Sequence, residues 1–215
     1  MLSHNFQRIF KAEKLLPPRN FLRPDFREIT KKYKNIYFEI GAGKGRHAID
    51  FSKTYTGSYL FAVERTKTKY AAFKKTSQNN QLENLAIINA DAIAWSVYAL
   101  PPSSLSGVFI LYPNPEPNNP NQRWHNMPYF EFLVSRVKAK GSIVLASNIE
   151  GYINEARSMF KNIWRLPYDL QQIDASSQRT HFEKKYLQRG EKCWQLDITK
   201  PNNYVTQFDD VNLAS

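Results

Sequence analysis

The chain has 215 residues, enough for one domain with a buried sheet and short for two. Its 42% hydrophobic and 14% aromatic content excludes a disordered chain, and no apolar run nears the roughly 20 residues that cross a bilayer. Thirty Lys and Arg against nineteen Asp and Glu give a net charge of +11, which points to a polyanionic partner such as nucleic acid. An opening segment without the apolar core of a signal peptide, and a single cysteine, Cys193, predict a reducing, cytoplasmic setting.

In chain order, residues 1–35 read as a basic N-terminal arm. Pro17, Pro18 and Pro24 interrupt any helix, and nine Lys and Arg between Arg8 and Lys34 alternate with Phe6, Phe10, Phe21 and Phe26, a pattern suited to a phosphate backbone. Residues 36–200 read as one α/β domain. Candidate strands at Ile36–Ile40, Tyr59–Glu64, Leu85–Asn89, Gly107–Leu111 and Ser142–Ala146 alternate with helical stretches at Arg46–Lys53, Lys67–Asn79, Ala92–Leu100, Pro128–Val137 and Tyr152–Lys161. That alternation predicts a mostly parallel, doubly wound sheet covered on both faces. The proline- and asparagine-rich segment from Pro113 to Met127 reads as an irregular loop after the fourth strand, where such sheets bind ligands. Cys193–Thr199 reads as a last strand, and residues 201–215 as a frayed tail.

Glu39-Ile40-Gly41-Ala42-Gly43-Lys44-Gly45 closes the first strand and opens the first helix. Glycines there allow a tight turn and close approach of a ligand. The dinucleotide fingerprint G-x-G-x-x-G is not met, and an acid two places before Gly41 suits a cation better than a pyrophosphate. S-adenosylmethionine, with a sulfonium and an α-ammonium, is such a cation. Glu64 ends the second strand, where an acid binds ribose hydroxyls. Asp91 follows the third strand, where a side chain accepts from the adenine amino group; the same position makes it an N-cap. Glu39, Gly41, Gly43, Glu64 and Asp91 are therefore the expected cofactor contacts. One cysteine and no His pair at ligand spacing imply no metal.

With these residues goes a late motif, Thr180-His181-Phe182-Glu183, and the loop Pro113-Asn114-Pro115. From about Tyr37 to Leu196 the chain resembles the bacterial-type tRNA (guanine-N7)-methyltransferases. The resemblance implies a Rossmann-like class I S-adenosylmethionine-dependent fold and tRNA as partner, and leaves open whether the chain is a monomer or a homodimer. It puts Asn114 at the catalytic position, and Asn148, Thr180 and Glu183 against the target nucleotide. The family's P-D-P loop and its second Asp after the fifth strand are departed from: Asn114 and Asn148 stand at those places, and the basic run that follows is missing. Arg123, Trp124 and His125 partly restore basic and stacking character, with Arg123 as an expected substrate contact. Spacing alone allows Thr180 and Glu183 to be a capping box instead.

Guanine N7 carries an in-plane lone pair and no proton, so methylation there needs alignment rather than a general base. An amide oxygen at Asn114 accepts from guanine N1–H and N2–H₂ without the charge assistance of a carboxylate. Two rival readings stand beside this one: a paralogue that methylates another RNA or a small molecule, which the lost basic loop favours, and a non-catalytic RNA-binding relic, which the intact cofactor acids disfavour.

Overall fold

The structure, a computed structural model, describes residues 9–214. Seven strands form one sheet in the order β3-β2-β1-β4-β5-β7-β6. β1 (Asn35–Ile40), β2 (Ser58–Val63), β3 (Leu85–Ile88), β4 (Leu105–Leu111) and β5 (Val137–Ser147) pair in parallel. β7 (Trp194–Thr199) is antiparallel to both its neighbours, β5 and β6 (Tyr168–Gln172). The β-branched and aromatic runs of β1, β2 and β4 are nearly continuous because both faces of these strands are covered.

On one face, α2 (Arg46–Thr54) and α3 (Lys67–Gln78) pack Ala48, Ile49 and Phe73 against Leu60 and Ala62. On the other, α4 (Ala92–Ala99), α5 (Tyr129–Arg136) and α6 (Glu150–Met159) bury Trp95, Phe130, Phe132 and Tyr152 against Phe38, Val108 and Leu145. The doubly wound architecture expected from the alternation is the one observed. No helix among the described residues is long and apolar enough to cross a membrane.

Four segments depart from the sequence expectation. Pro24 and Asp25 start a helix rather than prevent one: Asp25 accepts from the N–H groups of Arg27 and Glu28 at 3.0 and 3.1 Å and caps α1 (Phe26–Lys32). Parts of the basic arm also pack inward, although its described Lys and Arg side chains stay exposed. Ala12 is buried, and the Phe10 ring meets Tyr129, Phe132 and Phe208 at 5.4, 5.5 and 5.9 Å. Phe6 and Arg8 lie outside the described residues. The segment after Pro201 is anchored rather than frayed: Phe208 is buried, which contributes about 2 kcal/mol, and its carbonyl accepts from the buried Arg136 guanidinium at 2.6 Å. Finally, β6 and α7 (His181–Gln188) lie between α6 and β7, where the sequence suggested only a cap at Thr180 and no strand.

Candidate active site

The strand order reverses between β1 and β4, and the crevice this leaves at their carboxyl ends is where open α/β sheets bind ligands. The turn after β1 occupies it. Gly41, Gly43 and Gly45 all have left-handed backbones, with φ of +73°, +60° and +80°. Their roles differ. A Cβ at Gly45 would strike the Phe73 ring at 1.9 Å, so this glycine lets α2 close onto α3. A Cβ at Gly41 or Gly43 would meet nothing within 4 Å, so open space lies over the turn itself.

Of the three expected acids, Glu39 lines the cavity beside the turn, while Glu64 and Asp91 lie outside its lining. Glu39 is buried at the end of β1, with Oε2 2.9 Å from His47 Nδ1. Glu64 is also buried; its Oε2 accepts from the Gly43 N–H at 2.9 Å and its Oε1 from the Thr66 N–H at 2.6 Å. Each carboxylate oxygen has two lone pairs, so both retain capacity for a further donor. Asp91 caps α4, and both capping bonds, from Ile93 and Ala94 N–H at 3.0 Å, go to Oδ1. Asp91 is exposed, and its Oδ2 takes no part in the cap.

A cavity of about 270 Å³ joins this turn to the start of α7. Glu39, Gly41, Gly43, Lys44, His47 and Leu111 line one side, and Thr180, His181, Phe182 and Lys185 the other, with Lys69 of α3 at the rim. Thus the early glycine turn and the late Thr-His-Phe-Glu motif form one site. Thr180 Oγ1 accepts from the Glu183 N–H at 2.9 Å, the N-cap that the spacing allowed.

Glu183 itself turns away from the cavity. Its carboxylate is fully buried and accepts from Ser177 Oγ at 2.5 Å, Tyr112 Oη at 2.8 Å, Arg179 Nη2 at 2.7 Å and the Arg179 N–H at 3.0 Å. Burial opposes its charge, but the hydrogen bonds from Arg179, Ser177 and Tyr112 outweigh burial and hold the carboxyl below its ordinary range. Burial likewise pushes the Tyr112 hydroxyl far above its ordinary range, so it stays a donor. Glu183 therefore ties α7 to the end of β4, in place of the direct nucleotide contact expected from the resemblance.

The two asparagines stand outside the cavity lining, in the neighbouring loops. Asn114 Nδ2 donates to Glu116 Oε1 at 2.8 Å, and Asn148 Nδ2 donates to Glu191 Oε2 at 2.7 Å. The loop that carries Asn114 is held by two positive-φ residues, Tyr112 and Glu116, at +53° and +45°. Arg123 faces inward: its Nε donates to the Pro115 carbonyl at 2.8 Å, its Nη1 pairs with Glu155, and its guanidinium lies 5.8 Å from the Tyr152 ring centroid. Trp124 packs on Tyr129, and His125 is fully buried 3.5 Å from Glu155. Burial lowers the His125 pKa to about 4, against which Glu155 acts only in part. A proline-rich loop supplies few backbone donors of its own, so Arg123 and His125 anchor it to Glu155 of α6 and Trp124 to Tyr129 of α5, which engages all three in the fold.

His47, Lys69, Tyr112 and Phe182 were not singled out in the sequence. Phe182 lay inside the quoted motif, and His47 two residues past Gly45; Lys69 and Tyr112 carry no motif, and only the fold brings them here. Among the described residues no group of three or more His, Cys, Asp and Glu is placed to hold a metal.

Comparison with known proteins agrees with this geometry. The 16S rRNA methyltransferase KamB superposes with a TM-score of 0.65 at 14% identity over 84% of this chain and 95% of that one. A 16S rRNA (adenine(1408)-N(1))-methyltransferase from Catenulisporales acidiphilia, solved with its cosubstrate, gives 0.63 at 11% identity over 89% and 98%. The fold is thus that of the class I methyltransferases that use S-adenosyl-L-methionine. Residues 33–196 match the family described as "Putative methyltransferase", and the chain belongs to that family.

Among curated relatives, the "Bifunctional methyltransferase" of Rickettsia prowazekii is 30% identical over 150 residues, 68% of this chain and 28% of that protein. This chain therefore spans little more than a quarter of that relative's length. The "tRNA (guanine-N(7)-)-methyltransferase" of Nitrosospira multiformis is 25% identical over 169 residues, 76% of this chain and 74% of that protein. The protein of the same name from Burkholderia lata is 25% identical over 182 residues, 82% and 71%.

The residues present fit the methyl donor. A buried carboxylate at Glu39, open space over Gly41 and Gly43, and unused acceptor capacity on Glu64 suit an ammonium and a ribose; a pyrophosphate would meet the two acids.

Proposed function

We propose that this chain transfers a methyl group from S-adenosyl-L-methionine to N7 of a guanine in tRNA. The observation that carries the reading is the single cavity in which the Glu39–Gly43 turn meets the Thr180–Phe182 segment, since the first suits the donor and the second is the motif of the tRNA enzymes that the chain resembles. Relatives that bear the tRNA (guanine-N7) name cover most of the chain and add support.

When bound, S-adenosylmethionine supplies an electrophilic methyl on its sulfonium. The chain's part is to bind, orient and exclude. Glu39, the turn and Glu64 hold the donor, with Glu64 for the ribose hydroxyls and Asp91 Oδ2 for the adenine amino group. Leu111 and Phe182 provide apolar wall where methyl transfer must proceed without water. No side chain has to take a proton, because N7 has none to lose, so catalysis rests on holding the lone pair in line. Asn114 and Asn148 then act in the two loops beside the site as orienting groups for Glu116 and Glu191, and these carboxylates are the acceptors offered to the guanine N1–H and N2–H₂ edge.

The positive rim suits an RNA backbone. Lys44, Arg46, Lys69 and Lys185 surround the mouth, and the burial of His181 together with Arg46 and Lys44 lowers the pKa of that imidazole. Incubation with labelled S-adenosylmethionine and unmodified tRNA, followed by nucleoside identification, tests the proposal; label in 7-methylguanosine supports it.

A further inference from the structure

Phe182 is an apolar side chain left in solvent at the mouth of the cavity, 42% exposed in the first turn of α7. Its ring is not loose. Tyr186, one helical turn on, stacks against it with 21° between planes and 6.1 Å between centroids, and Lys69 Nζ stands 5.7 Å from its centroid. The ring is thus braced by an aromatic, borders a basic rim and carries the Lys69 ammonium over its face, a cation that an incoming base would displace onto its own phosphate. A planar, electron-rich heteroaromatic joined to an anion matches those neighbours: the base stacks on the ring, and its phosphate meets lysine.

We infer that Phe182 is the stacking platform for the acceptor base, with Lys69 and Lys185 placed for the flanking phosphates. This rests on the proposed reading that the acceptor is a base in RNA. The role follows from the chemistry of N7. The lone pair lies in the plane of the ring, so fixing that plane against Phe182 restricts the direction from which N7 meets the methyl group. Glu183, buried behind α7, then has the indirect task of holding the platform through Arg179 and Tyr112. Phe182 is accordingly a positioning residue that touches substrate, and an ordinary surface phenylalanine would show none of the following behaviour.

The test uses Phe182→Trp, Phe182→Tyr and Phe182→Ala in the full chain, with unmodified tRNA transcript and S-adenosylhomocysteine or S-adenosylmethionine. Adding transcript to the Phe182→Trp protein should quench its emission beyond the change seen with wild type, because the new indole lies under a base. Phe182→Ala should lower kcat/KM for tRNA about ten- to a hundredfold, well beyond any loss of S-adenosylhomocysteine affinity, while the melting temperature stays unchanged. Phe182→Tyr should stay close to wild type. Transcript that binds without extra quenching, or an alanine variant with unchanged kcat/KM, would overturn the stacking role and leave the RNA reading intact. Failure of wild type to bind or methylate the transcript at all would overturn both.

Discussion

Asn114 Nδ2 donates to Glu116 Oε1 across 2.8 Å, so the loop after β4 presents its carboxylate two residues beyond the place where the resembled family has its aspartate. The Asn148–Glu191 contact repeats the arrangement after β5. From sequence alone, an aspartate restored at Asn114 would strengthen guanine recognition. In the structure it would face Glu116 with like charge. Two charges about 4 Å apart in water repel by about 1 kcal/mol, so Asn114→Asp should lower single-turnover methyl transfer roughly fivefold. Adding Glu116→Gln to the same protein should recover the loss. An increase with Asn114→Asp alone would show that Glu116 plays no part.

Buried Glu64 accepts the N–H groups of Gly43 and Thr66 and so touches the turn after β1. Glu64→Ala should weaken S-adenosylhomocysteine binding about ten- to a hundredfold, the worth of a hydrogen bond to a charged group. Calorimetric titration measures it. Unchanged affinity would remove Glu64 from the ribose site.

Glu183 is read here as a buried clamp. Glu183→Ala strands Arg179 and Tyr112 and should cost about 2–3 kcal/mol, or roughly 5–10 °C in melting temperature. The sign of its pH dependence follows from the depressed pKa. The stabilisation is full above the ordinary carboxyl value of 4.5 and is lost as pH falls through the lower folded value. A variant that melts like wild type yet loses turnover would make Glu183 a substrate contact after all.

His125 acts on a different pH window. Its folded pKa of about 4 lies below the ordinary 6.5, so the buried ring resists a proton that the unfolded chain accepts. Stability should fall as pH drops from 6.5 towards 4, by up to about 3 kcal/mol, and then level off with respect to this group. Urea titrations of wild type and His125→Gln across that range check it: the variant should lose this slope. Equal slopes in the two proteins would assign the pH dependence elsewhere.

Strong periodicity made the core legible in advance. Strands such as Ile36–Ile40 and Gly107–Leu111 are covered on both faces and read as apolar runs, broken in the first only by Glu39, and their observed counterparts lie within two residues. β6 was not legible: Tyr168-Asp-Leu-Gln-Gln is a polar, mostly exposed edge strand that owes its shape to pairing with β7. In the N-terminal segment Pro24 signals a break, but Asp25 just after it caps α1, and the cap outweighs the proline. In the site, the acids and glycines announced themselves by position at strand ends. Arg123, Trp124 and His125 did not, since composition marks them as RNA-facing and only tertiary packing shows that Glu155, Tyr129 and Tyr152 hold them. Phe10 and Ala12 pack inward, but Lys11, Lys14, Arg19, Arg23, Arg27, Lys31, Lys32 and Lys34 stay exposed, so the arm keeps a basic surface in addition to the rim of the cavity. Replacing Lys69 and Lys185 with Gln should reduce the salt slope of tRNA binding by about 1–2.

Transfer of labelled methyl from S-adenosylmethionine to unmodified tRNA, with the modified nucleoside identified, tests the central claim most directly. Label should appear in 7-methylguanosine and be abolished in tRNA whose target guanine is replaced by 7-deazaguanine, which lacks the attacking nitrogen. Intact S-adenosylhomocysteine binding with no label in tRNA would contradict the tRNA guanine-N7 assignment.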